Sequence, residues 1–90
     1  RSDMKNELDG KVTFDTLTTV LNINNREELL WEHFGMMDNK EYCVRTLRKI
    51  ESYQKNGVFL GKNLIVTFET SQYPLETETI ERNITEYCLN

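Results

Sequence analysis

The segment that leaves the fewest choices is residues 38–57, where Asp38 and Glu41 have the spacing of a capping pair and Asn56-Gly57 supplies a stop. A long helix fits between those signals. At roughly 100° per residue, Cys43, Leu47 and Ile50 fall within about 60° of one another, while Arg45, Arg48 and Lys49 gather on the opposite side. The pattern predicts an apolar stripe facing a core and a basic back facing water. A chain of 90 residues makes one domain near the lower end of what buries a self-sufficient core. The remaining elements must therefore pack against this helix, and dimerisation would enlarge the core.

Upstream, residues 1–10 are polar, end in Asp9-Gly10, and read as a frayed start closing in a turn. Arg1 and Ser2 precede Met4 in the manner of a cloning remnant and are set aside. Phe14, Leu17, Val20 and Leu21 have helical spacing behind Thr13 as an N-cap, against the weak helix propensity of Thr16, Thr18 and Thr19. Asn25 with Glu28 opens a second helix whose apolar side is Leu30, Trp31 and Phe34, and Gly35 suits its stop. Downstream, residues 58–60 and 64–68 flank Gly61-Lys62-Asn63 and predict a β-hairpin. Tyr73 precedes Pro74 and so leaves helix for a loop. Leu75 to Thr79 alternates like a strand, and Ile80, Ile84, Tyr87 and Cys88 return to helical spacing. The expected architecture is an α+β domain over residues 1–90, with three helices, a hairpin and an acidic C-terminal strand and helix segment.

Charge is unevenly placed. Residues 1–68 hold ten acids and ten bases, whereas residues 69–90 hold Glu69, Glu76, Glu78, Glu81 and Glu86 against Arg82 alone. The whole formal excess of −4 arises in that last quarter. No apolar run approaches the eighteen or so residues of a membrane span, and no secretory leader pattern opens the chain, so the sequence reads as cytosolic. Cys43 and Cys88 are too few for a metal site and are expected as free thiols rather than a disulfide. His33 is the lone histidine and reads as an ordinary structural residue, and no carboxylate pair sits in an apolar setting suited to acid catalysis. Neither a catalytic site nor a cofactor is indicated by the residues.

Three functional readings follow. The C-terminal carboxylates, with Asp3, Glu7, Asp9 and Asp15 as a second group, would imitate the phosphates of nucleic acid if they share one surface. Duplex DNA carries a charge every 1.7 Å or so of its axis, so scattered acids would not suffice. Glu78 and Arg82 at i,i+4 would instead make an ordinary solvated pair. In the opposite reading, Arg45, Arg48 and Lys49 bind phosphate, because three helices followed by a hairpin is the element order of a winged helix-turn-helix. A sequence pI near 5.0 opposes that choice. A third reading takes Trp31, Phe34, Met36 and Met37 as the sticky patch of a dimeric adaptor.

The stretches LDGKVTFDTLTTVLNIN and NLIVTFETSQYPLETETIERNITEYC, together with the Asn, Lys and Glu richness of the whole chain, resemble the small anti-restriction nuclease (Arn) proteins of T-even bacteriophages. The resemblance is one of whole-sequence character, and no residue's role is carried over from it. It implies a non-enzymatic DNA mimic in the host bacterial cytoplasm that occupies the DNA-binding surface of defence proteins. The implied partners are a modified-cytosine-dependent restriction nuclease and a histone-like nucleoid silencer, with no direct contact to nucleic acid or membrane. A homodimer would double the length of any charged stripe.

Overall fold

The computed structural model describes the backbone of residues 3–8 and 11–90 and the side chains from Leu17 onward. The elements run β1 (Asp3–Leu8), β2 (Lys11–Leu21), β3 (Glu28–Phe34), α1 (Lys40–Lys55), β4 (Leu64–Phe68) and α2 (Thr77–Cys88). They make one sheet in the order β1-β2-β3-β4, antiparallel across the first three strands and parallel between β3 and β4. Among the described residues, two helices, not three, accompany it. The expected fold class is corrected accordingly: residues expected as the first two helices are β2 and β3, and Asp3–Leu8, expected to fray, pairs with β2.

Why these segments extend is visible in their composition. β2 is rich in Thr and Val, whose branched Cβ suits a pleated surface. In β3, apolar residues occupy both faces because both faces are covered, which abolishes the alternation that marks a half-exposed strand. The Asn25–Glu28 pattern is not a helix cap. It belongs to the β2–β3 connection, where Asn25 Oδ1 accepts from Glu27 N–H at 2.9 Å and Arg26 takes a φ of 63°. The expected hairpin is also replaced. Around Gly61, whose φ is 89°, Phe59 O accepts from the N–H groups of Lys62, Asn63 and Leu64, and β4 pairs with β3 instead of turning back on residues 58–60. Parallel neighbours need a long crossover, and α1 supplies it.

Alternation along β3 sends Leu30, Glu32 and Phe34 to one side of the sheet and Leu29, Trp31 and His33 to the other. α1 covers the first side. Its Tyr42 ring meets the Phe34 ring edge-on, with centroids 6.4 Å apart, and Met36, Met37, Ile50 and Val66 close around that pair. Asn39 caps the helix in place of Asp38, its Oδ1 accepting from Tyr42 N–H at 2.9 Å.

The inner stripe of α1 is Tyr42, Thr46, Lys49 and Tyr53, at the spacing i, i+4, i+7, i+11. That rotates the expected faces in part: Ile50 stays inward and Arg45 and Arg48 stay outward. Lys49, assigned to the basic back, turns inward, and Leu47, assigned to the core, is 67% exposed. The cause is Glu32, which is wholly buried in the middle of β3. An ionised carboxylate there is tolerable when its oxygens are occupied, and Lys49 Nζ donates to Oε2 while Tyr53 Oη donates to Oε1. The ammonium also lies 5.7 Å from the Phe34 ring centroid.

This network makes a stability prediction. Lys49→Met leaves Glu32 buried without its cation and should cost about 3–5 kcal/mol in urea denaturation, whereas the Glu32→Met, Lys49→Met double variant should lose less than Lys49→Met alone. Additive losses would contradict the pairing.

Candidate functional site

α2 lies on the second side of the sheet, where Leu75 and Ile80 share a cavity of about 220 Å³ with Val20, Trp31, His33 and Thr67. Its C-terminal end is fixed by the β2–β3 connection. The last carbonyls of a helix have no partner within it. Here Asn22, itself buried, donates through Nδ2 to Tyr87 O and Asn90 O at 2.9 Å each, and Ile23 N–H donates to Cys88 O at 2.8 Å. The Asn22 Oδ1 atom accepts from Asn24 and Asn25 N–H, so every polar atom of that amide is engaged. The asparagine run that reads in sequence as an interruption is therefore a clamp on the acidic helix.

With that end held, Ile80, Asn83 and Tyr87 are half-buried, while Glu78, Glu81, Arg82, Thr85 and Glu86 are exposed and, together with Asn83 and Tyr87, line one shallow depression. The expected Glu78–Arg82 pair is not formed. Arg82 Nη2 donates to Thr79 Oγ1 at 3.3 Å, and Glu76, Glu78, Glu81 and Glu86 have no ion pair among the described residues. Lys62 borders Glu86 across a small hollow that also contains Glu27. Lys40, Arg48 and Lys55 are exposed on α1, across the sheet from this face.

Glu69 stands apart from the other four. It accepts from His33 Nε2 at 2.8 Å, and with its proton on Nε2 the imidazole accepts at Nδ1 from Thr67 Oγ1, 2.9 Å away. Thr67 in turn accepts from Trp31 Nε1 at 3.3 Å. The chain of donors runs one way, from indole to carboxylate, and holds Trp31 inside the fold. Met36 and Met37 pack on the Phe34 cluster, so the residues of the adaptor patch serve the interior. Hydrogen bonds from His33 and from the Leu75 backbone hold the Glu69 carboxyl below the usual glutamate range. Asp38 is lowered similarly by the hydroxyl and backbone N–H of Ser71.

The five C-terminal carboxylates are thus divided: Glu78, Glu81 and Glu86 share the helix face, Glu76 is its N-cap residue without a side-chain capping bond, and Glu69 is bound to His33. Of the second group, Asp9 and the side chains of Asp3, Glu7 and Asp15 lie outside the described residues. The basic alternative loses its architecture, since α1 is a crossover between parallel strands rather than the third helix of a winged helix-turn-helix, and Lys49 is bound to Glu32. Cys43 and Cys88 are free, Cys43 donating through Sγ to Met37 O. Among the described residues, no cluster of three or more His, Cys, Asp or Glu is placed to hold a metal, and no helix is long and apolar enough to cross a membrane.

Comparison of the chain with family models, curated proteins and solved structures found no match.

Glu69 and Asp38 carry a pH prediction. Both pKa values are depressed by folding, so their contribution is complete above the unfolded values near pH 4 and is lost as pH falls through the lower folded ones. The Tm should hold from pH 7 to about pH 5 and decline below it, and the Asp38→Asn, Glu69→Gln variant should show a shallower decline. Equal slopes for the two proteins would contradict the assignment.

Proposed function

We propose that this chain is a non-enzymatic inhibitor that presents the outer face of α2 to the DNA-binding surface of another protein in place of a phosphate strand. The observation that carries the reading is the gathering of Glu78, Glu81 and Glu86 on one exposed helix face, unpaired among the described residues and separated by the sheet from the cations of α1. From Glu76 to Glu86 the helix rises about 15 Å. One strand of a duplex carries about four phosphates over that length. Four carboxylates offset by Arg82 approach the density of a single strand, though not that of both. The match therefore favours a target that grips one backbone edge.

Local energetics support the same reading. Glu86 sits at the negative end of the helix dipole and no base accompanies it in the last turn, an arrangement that costs about 0.3–1 kcal/mol. A carboxylate kept there is explained if a partner's cation meets it. Arginine and lysine on the target would form charge-assisted hydrogen bonds to this face, and opposite fields would speed capture in a salt-dependent manner. The likeness to T-even anti-restriction proteins points to host defence proteins as targets, with a modified-cytosine-dependent restriction nuclease and a histone-like nucleoid silencer as the first to try, in the bacterial cytoplasm.

The test is competition monitored by fluorescence anisotropy of labelled duplex DNA. The protein should leave free DNA unchanged yet release DNA from the nucleoid silencer, and Glu78→Gln, Glu81→Gln, Glu86→Gln together should weaken release by about ten- to thirtyfold, at up to about 0.7 kcal/mol per exposed charge pair. Direct DNA binding by the protein, or release unaffected by the triple change, would refute the reading.

A further inference from the structure

Beside the acidic helix face, a second cleft runs along an edge of the sheet. β4 is the last strand of the sheet, and its backbone alternates as parallel pairing requires. Asn63 O accepts from Leu30 N–H, and Glu69 N–H donates to Phe34 O, each at 2.9 Å. Residues 63, 65, 67 and 69 therefore turn their backbone groups to β3, and residues 64, 66 and 68 turn theirs outward. Leu64 is closed off by the preceding turn, its N–H donating to Phe59 O and its carbonyl accepting from Gly61 N–H at 3.1 Å each. Val66 and Phe68 are left facing the open edge. A cleft of about 310 Å³ lies there, running along residues 66–70 and closed by Tyr73, Leu75 and Glu76.

Tyr73 is the most conspicuous of its walls. At 77% exposure it is the most exposed large apolar side chain among the described residues, yet the loop that presents it is braced at several points. Thr70 and Tyr73 exchange backbone hydrogen bonds at 3.1 and 3.3 Å, Ser71 is bound to Asp38, and the Leu75 N–H is bound to the Glu69 carboxylate. Pro74 fixes the backbone immediately after it. A solvent-facing ring carried on a braced backbone loses less entropy on contact than one on a free loop, which suits an interface anchor. Two carboxylates flank it. Glu69 retains acceptor capacity beyond its bonds to His33 and Leu75, and Glu76 is not spent on capping α2. The half-unit of positive charge at the helix N-terminus is outweighed by Glu69, Glu76 and the first-turn Glu78.

An aromatic face, two carboxylates and outward carbonyls around one cleft fit a particular ligand chemistry. The guanidinium group is flat, stacks on aromatic rings, and carries five N–H donors in a fork that matches carboxylates, whereas an ammonium is a compact point charge. We propose that this edge cleft receives an arginine side chain of a partner protein, its guanidinium lying on Tyr73 and donating to Glu69, Glu76 and the β4 edge carbonyls. The proposal rests on the docking reading for the identity of the arginine's owner. The cleft itself is testable without that owner. It gives the inhibitor selectivity that charge alone does not, because phosphate imitation attracts any cationic surface, while a stacked and forked site separates arginine from lysine.

The experiment titrates the full ¹⁵N-labelled chain with two blocked peptides identical except for a central arginine or lysine. The arginine peptide should shift the backbone amides of residues 70–76 and bind at least threefold more tightly than the lysine peptide. Tyr73→Ala and Glu76→Gln should each weaken arginine binding by about threefold or more and narrow the preference, while Tyr73→Phe should retain it. Equal binding of the two peptides, no binding of either, shifts confined to the outer face of α2, or an unchanged affinity in Tyr73→Ala would overturn the proposal. Arginine selectivity with no DNA release would overturn the mimic reading and leave the cleft standing. DNA release without arginine selectivity would do the reverse.

Discussion

A carboxylate buried in the middle of a sheet dictates much of what surrounds it. Glu32 has no exposed surface, and its two oxygens are reached by Lys49 and Tyr53 from the helix that crosses above. Leaving either oxygen empty in that interior would cost more than most single contacts return. The rotation of α1 about its own axis is therefore set by polar satisfaction rather than by its apolar stripe. Its stretch Tyr42, Thr46, Lys49, Tyr53 faces inward, and Val44 and Leu47 are left on the outside.

That rotation takes Lys49 off the surface and leaves the exposed α1 cations Lys40, Arg48 and Lys55 across the sheet from α2. The parallel β3–β4 pair requires its crossover helix on one face, and the chain leaving β4 returns across the other face as α2. The Asn22 clamp then holds the far end of α2 through its carbonyls. Positive and negative helices end up back to back. Among the described residues, Glu78, Glu81 and Glu86 are thereby kept apart from the exposed cations of α1, a separation that a phosphate-imitating surface would need.

The two helices were legible in the sequence because each obeys local rules: a long amphipathic run ending at Asn56-Gly57, and apolar residues at helical spacing from Ile80, although the strand expected over Leu75 to Thr79 is replaced by the first turn of α2, which begins at Thr77. The first three strands of the sheet were not. Leu29, Leu30, Trp31 and Phe34 look helical because burial on both sides erases the period of two, and the Asn25–Glu28 spacing copies a cap while serving a turn. Val58 to Phe68 carries a hairpin's composition, but the competing partner, β3, is distant in sequence and parallel. For the candidate site, the clustering of acids was legible as a count, but whether they share a face was not, since Glu81 and Glu86 are five residues apart and lie about 140° from each other around a helix. The diversion of Glu69 to His33 was not, since those residues are joined only across the β3–β4 pairing. Nor was the role of Glu32, which looks in sequence like one more surface acid; the signal that existed was its position between Trp31 and Phe34, among residues that a core demands.

The central claim is that the outer face of α2, and not that of α1, meets the partner. Mapping the footprint of a histone-like nucleoid silencer's DNA-binding domain on the ¹⁵N-labelled chain by cross-saturation NMR tests it most directly. The account predicts attenuation at Glu78, Glu81, Arg82, Thr85 and Glu86, extending to the loop at residues 70–76, with α1 unaffected. Attenuation centred on Val44, Leu47 and Arg48, or no complex at low ionic strength, would contradict it.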